Sequence, residues 1–234
     1  MKILFEEANK NGISLSENQL EKFKIYMDFL IEYNSHTNLT AIKNPEDIII
    51  KHFLDSIIID KFLDFGKNNK VIDIGTGAGF PGVPIKILKE NIDLTLLDSL
   101  NKRIVFLDKL SKKLNINYST IHGRAEEFGR KFEYREKFDV VVSRAVAPLN
   151  ILCEYTLPFA KVGCYFVALK GPDFETELSN AENAIEALGG KLERCEKFEL
   201  PYDKGSRNII IIKKIRLTPK KYPRTSLQIS KSSL

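Results

Sequence analysis

Residues 71–82 read VIDIGTGAGFPG, an apolar run holding one aspartate and then four glycines in eight positions. Gly75, Gly77 and Gly79 let a backbone turn sharply and leave no side chain between it and a ligand. Phosphates, a dinucleotide and S-adenosylmethionine (SAM) all suit such a loop. Gly77, Gly79 and Gly82 match the G-x-G-x-x-G spacing, so a nicotinamide cofactor is one reading. The neighbours favour SAM. Asp73, two residues before the loop, suits a methionine ammonium and would repel a pyrophosphate. Asp98, ending the run DLTLLD, can accept hydrogen bonds from both hydroxyls of a ribose and serves either cofactor. In IHGRAEEF, Ala125 and Glu126 stand where an adenine edge could be read by a backbone amide and a carboxylate. Taken alone, Glu126 also reads as a surface acid opening a helical turn.

Other chemistries lack their residues. There is no Tyr-x-x-x-Lys pair for short-chain dehydrogenase chemistry. SRAVAPL, residues 143–149, lacks the Asn/Asp-Pro-Pro-aromatic tetrad of enzymes that methylate exocyclic amines. Cys153 has no partner arranged to make it a nucleophile. Cys153, Cys164 and Cys195 form no CxxC pair, and His36, His52 and His122 show no metal-ligand spacing.

These residues need a scaffold that holds strand ends side by side. From Lys70 onward, short apolar runs near 70–75, 93–98, 117–122, 138–143, 162–169, 191–199 and 207–215 alternate with helical patterns. The helices fall near 81–90, 101–114, 148–160 and 174–188. This alternation predicts an α/β fold: a seven-stranded, mostly parallel sheet with helices on both faces. Only LPYDKGSR separates the last two runs, which predicts an antiparallel hairpin. That ending suits a Rossmann-like, class I SAM-dependent methyltransferase better than a dehydrogenase. Residues 1–65 read as helical. Ser16 and Gln19 form a capping box, and Asn44–Pro45 open a further helix. The predicted organisation is an N-terminal helical region capping the site (1–65), a methyltransferase domain (66–216) and a basic tail (217–234).

The chain has 234 residues and a net charge of +5. From Lys213 onward there are seven basic residues and no acid, leaving the preceding 212 residues at −2. A basic tail is an electrostatic footprint for a polyanion, or else a solvated tail aiding solubility. The longest apolar stretch, DIIIKHFLDSIIID, is interrupted by Lys51, His52 and Asp55. The N-terminus has acids where a signal peptide needs an apolar core. A cytoplasmic location with no membrane partner is expected.

YNSHTNLTAI, KHFLDS, VIDIGTGAGFPG, LLDSLNKR, GRAEEF, SRAVAPL, LKG and TPKKYPR follow one another in this order. Together they closely resemble the bacterial RsmG family, also called GidB (glucose-inhibited division protein B), over residues 26–224. The resemblance implies a SAM-dependent methyltransferase acting on N7 of one guanine in 16S ribosomal RNA, with the small subunit or its RNA as partner. It implies a SAM site at Gly75, Phe80, Ala125, Glu126 and Arg144; by the residue arguments above, Asp73, Gly77, Gly79 and Asp98 belong to the same pocket. It matches Lys102, Arg124 and Lys170 to basic positions around that pocket. With Lys220, Lys221 and Arg224 they are the expected RNA phosphate contacts. The chain departs from the family pattern after TPKKYPR, where it continues TSLQISKSSL.

Guanine N7 carries a lone pair and no proton, so in-line transfer from a sulfonium needs alignment and no general base. Arg144 is the candidate to position the guanine through O6. Its alternative is a salt bridge, to Asp73 or Glu126, that organises the pocket. Asn38 reads as a turn or cap residue and His52 as a satisfied core histidine. Two further functional classes stay open: a nicotinamide-dependent oxidoreductase and a ribosome-binding factor without turnover.

Overall fold

A computed structural model describes residues 1–66, 69–172 and 174–234. Seven strands form one sheet: β1 (Lys70–Ile74), β2 (Asp93–Asp98), β3 (Ser119–His122), β4 (Phe138–Arg144), β5 (Ala160–Lys170), β6 (Gly190–Glu199) and β7 (Ser206–Lys214). Their spatial order is β3-β2-β1-β4-β5-β7-β6. β1 to β5 run parallel, and β7 inserts antiparallel between β5 and β6. The hairpin read from LPYDKGSR is therefore present. The chain winds one way from β1 to β2 and the other way to β4, so the crevice opens at the carboxyl ends of these three strands.

The central strands are buried on both faces and alternate between two apolar layers, while the edge strands β3 and β6 are largely exposed. In β7, Ile209 and Ile211 face one layer while Ile210 and Ile212 face the other. This is period-two geometry with helices covering both sides.

The N-terminal helices cover the first layer. They are α1 (Lys2–Lys10), α2 (Glu17–Thr37) and a continuous run from Pro45 to Lys61. That run opens as α3 (Pro45–Ile48), widens into a π-helix over Ile49–Leu54, continues as α4 (Asp55–Ile57) and tightens to a 3-10 turn. The capping box at Ser16 and Gln19 forms, and the Asn44 side chain caps the N–H groups of Glu46 and Asp47. Asn38 ends α2 with φ 50°, as a C-cap. Behind the glycine loop lie α5 (Gly82–Leu88) and α6 (Asn101–Leu114). Phe29 of α2 stacks on Phe106 of α6 at 5.2 Å. The core is continuous from Leu4 of α1 through α2 to the sheet, so residues 1–65 share one apolar interior with the strands.

On the other face lie α7 (Ala125–Phe128), α8 (Leu149–Thr156) and α9 (Phe174–Ala187). The C-terminal segment packs here and is not a loose tail. Tyr222 is buried, and Ile229 is buried within a last short helix, α10 (Ser226–Lys231). Two of its seven basic side chains turn inward. Lys214 is fully buried, donates to the Leu157 carbonyl at 2.7 Å and lies 3.6 Å from Glu136. Burial lowers its pKa to about 8. Arg224 grips the buried Glu154 through both carboxylate oxygens.

Candidate functional site

A cleft of about 370 Å³ lies where β1, β2 and β4 end. Its floor is the glycine loop, tied to β2 by the N–H groups of Gly75 and Thr76 on the Leu97 carbonyl. The glycines differ in what they face. A Cβ on Gly77 would meet nothing within 4 Å, so that glycine opens the backbone to the cleft. Gly75, at φ 71°, would collide with Val146. Gly79 faces the N-terminal helices, where a Cβ would meet the Tyr26 hydroxyl at 2.6 Å. Tyr26 also donates to the Ala78 carbonyl and stacks on Phe80 at 5.2 Å, so α2 sets the loop's position.

Asp98 reaches the cleft from the end of β2. Its carboxylate accepts from the N–H groups of Gly77 and Leu100, each at 2.9 Å. Arg103 Nη1 touches both oxygens, at 3.3 and 3.1 Å. Asp73 sits behind the loop and not on the cleft wall. Its Oδ2 accepts from Thr76 Oγ1 at 2.7 Å and from the Gly82 N–H at 2.9 Å. Its Oδ1 is buried without a hydrogen-bond partner among the described residues. Burial raises its pKa to about 7, against the pull of those two hydrogen bonds. Through Oδ2, Asp73 braces the loop.

Arg144 ends β4 and forms the opposite wall. Its expected partners were Asp73 or Glu126; its actual partner is Asp55. Nη1 donates to Asp55 Oδ2 and to the Lys51 carbonyl, both at 3.0 Å. Nη2 lies 2.9 Å from His52 Nδ1. A guanidinium stays protonated, so His52 Nδ1 accepts this bond and the ring proton sits on Nε2. That proton points at Thr40 Oγ1, 3.0 Å away. Burial first, and Arg144 second, lower the His52 pKa to about 3, holding the ring neutral. Burial raises the Asp55 carboxyl, against Arg144 and Arg207. His52 stacks on Phe80 at 4.3 Å, and the Arg144 guanidinium lies 5.0 Å over the same ring. His52 is therefore a satisfied histidine that also lines the cleft. Ala145, the next residue, holds φ 52°, a strained conformation for a residue with a Cβ.

Ala125 and Glu126 open α7 just past β3 and are both buried. They stand beyond the residues that line the 370 Å³ cleft, beside Gly123, whose N–H reaches the Asp98 carbonyl at 3.0 Å. The expected phosphate contacts separate into two groups. Arg124 is 61 % exposed, and Lys220 and Lys221 are exposed. Lys102 is exposed while donating to the Thr37 carbonyl at the end of α2. Lys170 and Arg224 are engaged by acids of the chain itself, and Lys170 also lines a second cavity beside Arg144. Lys170 is buried against Glu177 at 2.5 Å and the Ala147 carbonyl at 2.6 Å. Arg224 is spent on Glu154.

Sequence reasoning missed Thr40, Arg103 and Arg207 and undervalued Asp55. The polar run before α3 and the arginine five residues after Asp98 were their only signals. Cys153 is fully buried, and burial raises its thiol, which disfavours the nucleophilic thiolate. Among the described residues no cluster of three His, Cys, Asp or Glu could hold a metal, and no helix is long and apolar enough to cross a membrane.

Sheet order, hairpin and cleft define a Rossmann-like class I methyltransferase fold. Two solved structures share it: precorrin-6y C5,15-methyltransferase from Geobacter metallireducens GS-15 and M. jannaschii TYW2 in complex with AdoMet. The first aligns with a TM-score of 0.53 at 16% identity, covering 68% of this chain and 86% of that one. The second has a TM-score of 0.51 at 17% identity, covering 68% and 74%. Residues 19–210 match the family described as GidB: rRNA small subunit methyltransferase G. The chain is also 50% identical over 233 residues to the ribosomal RNA small subunit methyltransferase G of Clostridium tetani (strain Massachusetts / E88), covering 99% of this chain and 98% of that one. The chain belongs to this family and is a methyltransferase.

Proposed function

We propose that the chain transfers a methyl group from SAM to N7 of one guanine in 16S ribosomal RNA. The observation that carries this reading is the cleft at the β1/β2/β4 switch, in a chain of this family. Its residues fit the cofactor. Gly77 opens backbone to the cleft, and the Asp98 carboxylate stands at the end of β2 for two ribose hydroxyls. Ala125 and Glu126 stand past the end of β3, for the adenine. When bound, SAM supplies a methyl group on a positively charged sulfur.

The chain's own residues align and shield. Leu39 and Thr40, from the connection after α2, roof the cleft. Phe80 and His52 give it a flat aromatic wall. Asp55 pairs with Arg144 and so offsets part of the positive charge on the wall beside a cationic sulfur. Guanine N7 has a lone pair and no proton, and the cleft accordingly needs no general base. Catalysis of this kind rests on proximity and orientation. N7 lies on the edge that a regular A-form helix buries, so the target guanine must be unpaired or splayed out. Exposed Arg124, Lys102, Lys220 and Lys221 would hold flanking phosphates. A nicotinamide reading has only the glycine spacing and Asp98 behind it.

The test uses purified protein, methyl-labelled SAM and small ribosomal subunits from cells lacking this enzyme. Label recovered as 7-methylguanosine in a nuclease digest supports the reading. Label in another nucleoside or in protein overturns it.

A further inference from the structure

A second cavity, of about 310 Å³, opens on the far side of Arg144. It shares His52, Arg144 and Ala145 with the cofactor cleft, so the two spaces meet at the Arg144 side chain. Lys51, Asp55 and Arg207 also line it. The two Asp55 oxygens are not equivalent. Oδ2 is held by Arg144 at 3.0 Å. Oδ1 is buried and has no hydrogen-bond donor among the described residues; Arg207 Nε lies 3.4 Å away, near enough for charge. Buried carboxylate oxygens are seldom left without a donor unless water, an ion or a ligand supplies one. The Arg207 guanidinium otherwise bonds only the carbonyl of its neighbour Ser206, at 2.9 Å, among the described residues. An acceptor and a donor thus stand side by side, next to the cofactor cleft. Three of the five Arg144 N–H donors are already engaged, by Asp55, the Lys51 carbonyl and His52.

We propose that Asp55 and Arg207 read the acceptor base in this cavity, Arg207 donating to guanine O6 and Asp55 Oδ1 accepting from N1–H. The inference rests on the function proposed above. Guanine offers an acceptor beside a donor on that edge. Adenine offers them reversed, so it would set donor against donor and acceptor against acceptor. Gripping this edge leaves the N7 lone pair free to face the shared wall. It also requires that the target guanine be unpaired.

The test uses the full chain and small subunits reconstituted on 16S RNA whose acceptor guanosine is replaced by inosine or 2-aminopurine. Inosine keeps O6 and N1–H; 2-aminopurine lacks both. With the wild-type enzyme, inosine should accept within a few-fold of guanosine. 2-Aminopurine should fall by roughly 10- to 100-fold, the size of one well-made polar contact to a base. Arg207→Ala should lower kcat/KM for guanosine by a similar factor, leave SAM affinity unchanged and shrink the guanosine over 2-aminopurine preference. Arg207→Lys should recover part of the loss. Unchanged SAM affinity shows that the variant is folded and that the effect lies with the acceptor. An undiminished 2-aminopurine penalty in Arg207→Ala overturns the proposal, and so does a parallel loss of SAM affinity. Absence of transfer by the wild-type enzyme overturns the underlying function as well and is seen before any variant is made.

Discussion

Arg144 Nη1 lies 3.0 Å from Asp55 Oδ2, joining two residues 89 positions apart. The π-helix over Ile49–Leu54 brings this about, because its widened turn leads directly into Asp55 and offers the Lys51 carbonyl to the same guanidinium. Widened turns of this kind occur often at functional sites. The contact carries the N-terminal helices onto the end of β4 and makes them a wall of the cleft.

Asp98 and Arg103 should move cofactor affinity in opposite directions. Arg103 contacts both oxygens that ribose hydroxyls would use. Asp98→Ala removes the acceptor and should weaken SAM binding by at least roughly 10-fold, since hydrogen bonds to charged groups are worth about 1.5–3 kcal/mol. Arg103→Ala removes the competitor and should tighten it. Calorimetric titration with SAM reads both. Equal weakening by the two variants would show that Arg103 supports the site.

Two buried groups should tilt the stability–pH profile in opposite senses. Asp73 has a pKa of about 7 in the fold against 3.8 ordinarily, so between those values the folded chain binds the extra proton and stability falls as pH rises. His52 titrates near 3 against 6.5, so in that window the unfolded chain binds the proton and stability rises with pH. Each slope approaches about 1.4 kcal/mol per pH unit. The windows overlap from about 4 to 6.5 and oppose each other. Urea unfolding at several pH values should show Asp73→Asn gaining stability with rising pH relative to wild type, and His52→Gln losing it.

Two glycines of one loop should fail differently. Gly77→Ala meets open space and bears only the strain of φ 62°, about 1–2 kcal/mol. It should fold but bind SAM more weakly, since its methyl enters the cleft. Gly79→Ala would strike Tyr26, Val83 and Leu107 at 3.0 Å or less, at φ 102°. It should lose more stability than Gly77→Ala, which thermal unfolding of both variants measures.

Much of this was legible in the sequence. Apolar period and turn residues locate all seven strands, and the short LPYDKGSR connection gives the closing hairpin. The glycine loop and Asp98 are legible because they act through local backbone geometry. The partners of charged side chains are not, because pairing is decided by what the fold brings together. Arg144 with Asp55 and Arg224 with Glu154 are contacts between distant segments, and Lys170 with Glu177 joins the end of β5 to the following helix. The charge count could not reveal that Lys214 and Arg224 turn inward.

That inward turn divides the C-terminal segment by function. Lys220→Ala and Lys221→Ala should each weaken RNA binding and lower the salt slope of the affinity by roughly 0.7–0.9, as for one phosphate contact. Arg224→Ala should leave that slope unchanged and raise hydrogen exchange over residues 217–231, because Glu154 loses its partner. Binding measured across a salt series, with exchange on the free protein, separates the two.

The most direct measurement counts methyl groups per small subunit and maps them by strand cleavage specific for 7-methylguanine. One methyl per particle, at a single guanine, is the expected result. Transfer spread over many guanines, or no cleavage at the labelled site, would contradict a cleft built to align one N7 with the cofactor.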